Sequence, residues 1–160
     1  MPTSAARPLA DDELLIERTF DAPRELVFEA FTDPRHTLHW WGPVEYPITE
    51  VTMDVRPGGR WRGCLKSPET GKELWQHGTF REVDPPRRLV FTFKWEEEHP
   101  DKGIETTVSI DFEDVGGKTH MRFHQTPFAT VASRNGHVYG WTSTFDRFVA
   151  YLKEIQGDAR

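Results

Sequence analysis

The chain has 160 residues, 36% of them hydrophobic and 29% charged, which suits one packed domain rather than a disordered segment. Its formal net charge of -6 argues against a nucleic-acid binder, because neutralising phosphates takes a basic surface. The single cysteine, Cys64, leaves no internal disulfide or multi-cysteine zinc site, and no apolar stretch approaches the length of a membrane span.

Residues 1–12 are rich in Pro, Ala and Ser and lack the apolar core of a secretory signal, so they read as a flexible leader. With one cysteine and no export signal, a cytoplasmic location is expected. Residues 14–20 alternate as a strand. Asp21-Ala22-Pro23 opens a short helix, with Pro23 suited to its first position and Leu26, Val27, Ala30 and Phe31 as its buried face. Asp33-Pro34 caps a second short helix, expected to end near Trp40-Trp41-Gly42-Pro43. The adjacent Trp40 and Trp41 cannot point the same way, so one is expected inside and the other at a rim, where an anchor of the helix end against the sheet is preferred to a gate.

Five or six strands follow. They run through Val51, Met53 and Val55, then residues 59–65, 72–83, 89–95, 104–112 and 118–125, separated by Pro- and Gly-rich turns. Gly116-Gly117 is a two-residue hairpin signal. Beyond Pro127 comes a long amphipathic helix, starting at about 130–134 and ending near 155, with Trp141, Phe145, Phe148 and Leu152 on one stripe. Gly136 and Gly140 share one helical face. They either let a ligand approach the helix or mark a loose first turn, and the second is preferred because Ser133 and Asn135 favour helix starts. Residues 13–156 are therefore expected to form one domain, with a tail at 157–160.

A helix with a bulky stripe must bury it, and a sheet with one apolar face is the available partner. Trp61, Phe91, Phe93, Trp95, Val108, Ile110, Met121, Phe123, Trp141 and Phe145 all face the space between them. They either fill a core or line a cavity; the reading adopted is a cavity. Trp41, Thr106, Gln125 and Tyr139 are the polar or rim candidates beside it. A ligand burying about 300 Å² of apolar area gains roughly 7 kcal/mol gross. Association costs at least about 4 kcal/mol, so apolar contact alone gives weak affinity.

Five segments in order carry a family resemblance: Phe20-Asp21-Ala22-Pro23 with Val27-Phe28, Trp40-Trp41-Gly42-Pro43, Arg56-Pro57-Gly58-Gly59, the run from Gly78-Thr79-Phe80 through Asp84-Pro85-Pro86 into Leu89-Val90-Phe91, and Gly140-Trp141. The sequence resembles stand-alone proteins related to the C-terminal domain of the activator of heat-shock protein 90 ATPase, within the SRPBCC or START-like superfamily. The resemblance covers roughly residues 14–155. It implies an α+β helix-grip fold: a curved antiparallel sheet wrapped around a long C-terminal helix, with two short helices after the first strand. It also implies an apolar ligand cavity or a chaperone partner. The full-length activators carry an additional N-terminal chaperone-binding domain for which this chain has no room, so direct stimulation of the chaperone is not expected.

Chemistry beyond binding has little sequence support. His120 and His124 alternate with inward Met121 and Phe123, and four strand residues separate them by roughly 13 Å, too far for one metal. His77 lies on another strand, so no metal and no cofactor are expected. Glu96-Glu97-Glu98 reads as a solvated loop, and Cys64 as a plain strand cysteine lacking a base. The preferred function is non-catalytic binding of a small hydrophobic or amphipathic ligand. The alternatives are a cyclase- or hydratase-like enzyme, for which no titratable cavity group is named, and a chaperone-linked interaction module using an exposed sheet face. A homodimer has no support in the sequence.

Overall fold

Seven antiparallel strands, β1 (Leu14–Phe20), β2 (Ile48–Met53), β3 (Arg60–Lys66), β4 (Glu73–Asp84), β5 (Arg88–Trp95), β6 (Thr106–Val115) and β7 (Lys118–Thr126), form one sheet in the order β1-β7-β6-β5-β4-β3-β2. This is a computed structural model, and it describes residues 9–97 and 99–157. The leader at 1–8 and the tail at 158–160 lie outside the described residues. Asp12, at the end of the leader, accepts hydrogen bonds through its carbonyl from the Phe128 amide and the Thr126 hydroxyl, which ties it to the end of β7.

Strands β2 to β7 follow one another as a meander because short turns make sequence neighbours pair. The tightest turn joins β6 to β7, where Gly116 (φ 68°) and Gly117 (φ 88°) both adopt the left-handed conformation that this hairpin twist demands. Strands β6 and β7 alternate: Thr106, Val108, Ile110 and Phe112 on β6, and Thr119, Met121, Phe123 and Gln125 on β7, are buried on the concave face.

Two short helices, α1 (Arg24–Thr32) and α2 (Pro34–Thr37), cover one end of that face. Pro23 stands one position before the first helical residue, as the cap rather than inside α1, and Phe28 joins Val27, Ala30 and Phe31 in the buried face in place of Leu26. Asp33 caps α2 through its side chain, accepting from the Arg35 amide at 2.9 Å. The helix ends at Thr37, earlier than the sequence suggested; Trp40 and Trp41 follow in a turn held by bonds from both their amides to the Thr37 carbonyl. Both indoles are buried, so the rim position expected for one of them is not solvent-exposed. They do diverge. Trp40 Nε1 donates to the Ala30 carbonyl on the helix side, whereas Trp41 Nε1 donates to Gln76 Oε1 on the sheet.

The long helix α3 (Val131–Gly157) crosses the concave face. Its C-terminal half is fully packed: the Phe148 ring lies 4.2 Å from Trp40, 5.0 Å from Phe20 and 5.3 Å from Phe31. Most of these contacts are edge-on or tilted, the arrangement aromatic quadrupoles favour. Arg147 reaches from α3 and donates to the carbonyls of Trp41 and Gly42, fixing the segment after α2 against the helix.

Candidate functional site

The N-terminal half of α3 stands off from the sheet and leaves a cleft of about 640 Å³. The cause is local. Ser133, Gly136, His137, Gly140, Trp141 and Thr144 form the helix face that borders the cleft, at the spacing of one helical stripe. A Cβ placed on either glycine would meet no neighbouring atom within 4 Å. Both glycines lie inside a continuous helix, not in a loose turn before it, so the preferred sequence reading of them is corrected. The two glycines leave part of the stripe bare, His137 turns its ring onto Trp95, and Trp141 closes the inner end.

Three other segments complete the walls. Leu65 on β3, Leu74 and Gln76 on β4, and Phe93 and Trp95 on β5 come from the sheet. The segment after α2 contributes Trp41, Pro43, Glu45 and Tyr46, and the β5–β6 loop contributes His99, Pro100 and Asp101. Across one side, the Tyr139 hydroxyl donates to Glu45 Oε2 at 2.8 Å and joins α3 to the segment after α2.

Of the sequence-named positions, Phe93, Trp95, Trp141, Trp41 and Tyr139 border the cleft. Trp61, Phe91, Val108, Ile110, Met121, Phe123 and Phe145 are buried in the core beneath it, packed on one another and on Trp141. Phe123, for example, has its ring centre 4.7 Å from Trp141 and 5.2 Å from Phe145. Thr106 and Gln125 are also enclosed. Gln125 accepts from Trp141 Nε1 and donates to Thr106 Oγ1, both at 2.8 Å, so this chain of hydrogen bonds holds the Trp141 indole in place at the end of the cleft.

Sequence reasoning missed Gln76, His99, Asp101 and His137. The helical spacing from Ser133 to Thr144 was the available signal for His137. Nothing in the local sequence placed His99 and Asp101, because a turn's direction depends on what it packs against. His137 Nδ1 donates to the Ser133 carbonyl, leaving Nε2 to accept from Trp95 Nε1 at 2.9 Å, so both ring nitrogens are engaged and one neutral tautomer is selected. The His99 ring stacks on Trp95 at 3.8 Å, and its Nδ1 accepts from the Asp101 amide. Burial pushes His99 down to about 4 and lowers His137 as well.

That depression carries a stability consequence. The unfolded chain takes up a proton on His99 near pH 6.5 and the folded protein only near 4. Folding stability therefore drops as pH falls from about 6.5 to 4. Urea midpoints at pH 7 and pH 4.5 should differ, and His99→Asn should narrow that difference. An unchanged gap in the variant would contradict this assignment.

The remaining candidates are engaged elsewhere. His120 and His124 bond to Glu17 and Glu13 on the outer face. Glu96, read from sequence as part of a solvated run, accepts from Arg62 and His77. Burial raises the Cys64 thiol pKa, which disfavours the reactive thiolate. Glu29, Asp33 and His36 bring donor atoms within 4.8 Å of one another, but Asp33 is chelated by Arg35 and His36 Nδ1 lies 2.6 Å from the Tyr151 hydroxyl.

A long helix laid across a seven-stranded antiparallel sheet, preceded by two short helices, defines a helix-grip protein. The sequence model described as "Activator of Hsp90 ATPase homolog 1-like protein" matches residues 21–153, and the chain belongs to that family. A crystal structure of the AHSA1 protein from Silicibacter pomeroyi is 26% identical, with a TM-score of 0.76 over 88% of this chain and 96% of that one. A protein from Nitrosomonas europaea is 24% identical, with a TM-score of 0.78 over 94% and 99%. The solution structure of a protein from Arthrobacter aurescens is 23% identical, with a TM-score of 0.79 over 90% and 87%. No curated protein matches the sequence. Among the described residues, no helix is long and apolar enough to cross a membrane.

Proposed function

We propose that this is a cytoplasmic, non-catalytic binder of a small hydrophobic or amphipathic molecule, held in the cleft between α3 and the strands β3 to β5. The observation that carries this reading is the gap that Gly136 and Gly140 leave on α3 opposite Trp41, Phe93 and Trp95, with Trp141 at its inner end. The volume of about 640 Å³ falls within the range of small-molecule sites. Phe91, Val108, Ile110, Met121, Phe123 and Phe145 support the site from below by keeping that wall rigid.

A reaction chamber is less well supported. Proton transfer needs a group titrating near the working pH. His99 is held near 4, and His137 has both nitrogens engaged. The family description favours a chaperone partner as a second reading. The outer sheet face does not add to it: among the described residues, the exposed large apolar ones are Leu9, Leu38, Val44, Ile104, Val115 and four on α3, none of them in the middle of a strand.

The test is titration with an apolar naphthalene probe, followed through quenching of the Trp41, Trp95 and Trp141 fluorescence. Saturable binding of one probe per chain is expected. A linear, non-saturating response would remove the reading.

A further inference from the structure

One polar group on the cleft wall has no partner in the protein. Gln76 is only 1% exposed, and its Oε1 is taken by Trp41 Nε1 at 2.8 Å. Because an indole nitrogen can only donate, Oε1 must face it, which settles which way the amide is turned. The Nε2 group donates to no residue, although Gln76 borders the cleft. Every fully enclosed side-chain nitrogen and oxygen among the described residues has a partner, so Nε2 opens onto the cleft space. A ligand entering the cleft takes water away from that donor, so one that supplies an acceptor keeps a hydrogen bond that a purely apolar ligand would leave unmade.

The charges around the cleft select the acceptor. Among the described residues, Glu45 and Asp101 border it, and no Lys or Arg does. The two histidines are held neutral by their burial and their hydrogen bonds. A carboxylate or phosphate would meet like charge and no counterion, whereas a neutral carbonyl oxygen offers the lone pair without the charge. The walls are rings, and the helix side is bare backbone at Gly136 and Gly140, a slot that suits a flat aromatic body.

We propose that the cleft recognises neutral aromatic carbonyl compounds, with the ring between α3 and the tryptophan wall and the carbonyl oxygen accepting from Gln76 Nε2. This rests on the small-molecule reading above and names the ligand class for the same site.

Four naphthalenes of similar size separate the outcomes: 2-acetylnaphthalene, 2-ethylnaphthalene, 2-naphthoate and 2-(aminomethyl)naphthalene. The ketone should bind the wild-type protein about 5- to 10-fold more tightly than the ethyl compound, the scale of one neutral hydrogen bond. It should also bind more tightly than either charged probe. The infrared carbonyl stretch of the bound ketone should lie below its position in an apolar aprotic solvent. Gln76→Leu should bring ketone and ethyl affinities to parity; the wild-type ratio and the infrared shift test the assignment even if that variant does not fold. Equal binding of ketone and ethyl compounds, or an unshifted stretch, overturns the carbonyl assignment while leaving an apolar site standing. Tightest binding by the carboxylate or the amine also overturns it. Binding of none of the four removes the small-molecule reading itself.

Discussion

Gly140→Leu is expected to make the protein more stable and weaken its binding. A Cβ at position 140 meets nothing within 4 Å, and Gly140 borders the cleft, so a leucine there has the cleft space to extend into. Glycine inside a helix costs about 1 kcal/mol relative to a good helix former, so the substitution should stabilise by roughly that amount. The same side chain occupies the space between α3 and Trp95, and probe affinity should fall at least about 10-fold, the loss of one or two kcal/mol of apolar contact. Gly136→Leu, one turn earlier on the same face, should behave alike. The two readouts move in opposite directions, so an unfolding artefact cannot mimic the result. Trp141→Ala would be a poorer test, because Trp141 also packs on Phe123 and Phe145 and donates to Gln125. Thermal denaturation paired with fluorescence titration decides the matter; unaltered binding in Gly140→Leu would place the ligand elsewhere.

The second large effect lies under the sheet's aromatic layer. Gly78→Ala should destabilise by about 3–5 kcal/mol, the upper range for a single substitution. A Cβ there would collide with the Thr92 carbonyl oxygen and come within 2.5 Å of Trp61 Nε1. These two atoms are bonded to each other at 3.1 Å, so the methyl group would wedge into a buried hydrogen bond. The backbone has no freedom to move aside, since Thr79 N is held by Thr92 Oγ1 at 2.9 Å and the neighbouring His77 pairs with Lys94. Displacing Trp61 would also disturb its contacts with Phe91 and Phe93, both at 5.7 Å. Gly71→Ala is the control. Gly71 has a φ of 77° and open space around it, so alanine there should cost only the conformational penalty of about 1–2 kcal/mol. Urea unfolding of the two variants should separate them clearly; equal midpoints would contradict the steric account.

Much of the fold was legible because its signals are local. Alternation marked every strand to within a few residues, and Leu14–Phe20 was read with the bounds it has in the structure. Asp33 before Pro34 marked a helix start, and Gly116-Gly117 a hairpin. The readings that missed at the tryptophan pair and at the α3 glycines turn on packing against other elements. Trp40 and Trp41 are both buried because one meets Ala30 and the other Gln76, residues on opposite sides of them in sequence. Gly136 and Gly140 lower helix propensity, which favours reading them as a frayed start. Yet α3 continues through them, anchored by the packing of Trp141, Phe145 and Phe148 further along.

The sequence alone determined that a long apolar helix must bury its stripe on the concave face of an antiparallel meander, because hydrophobic periodicity is written residue by residue. It did not determine where that burial stops. Only the tertiary structure decided that the Phe145 end of α3 packs tightly while the glycine end stands clear, and that Gln76, named by no pattern, presents a free donor there. The physical reason is that a void and an unpaired amide are properties of the space between elements. That space is set by how several side chains remote in sequence converge, and no single segment encodes it.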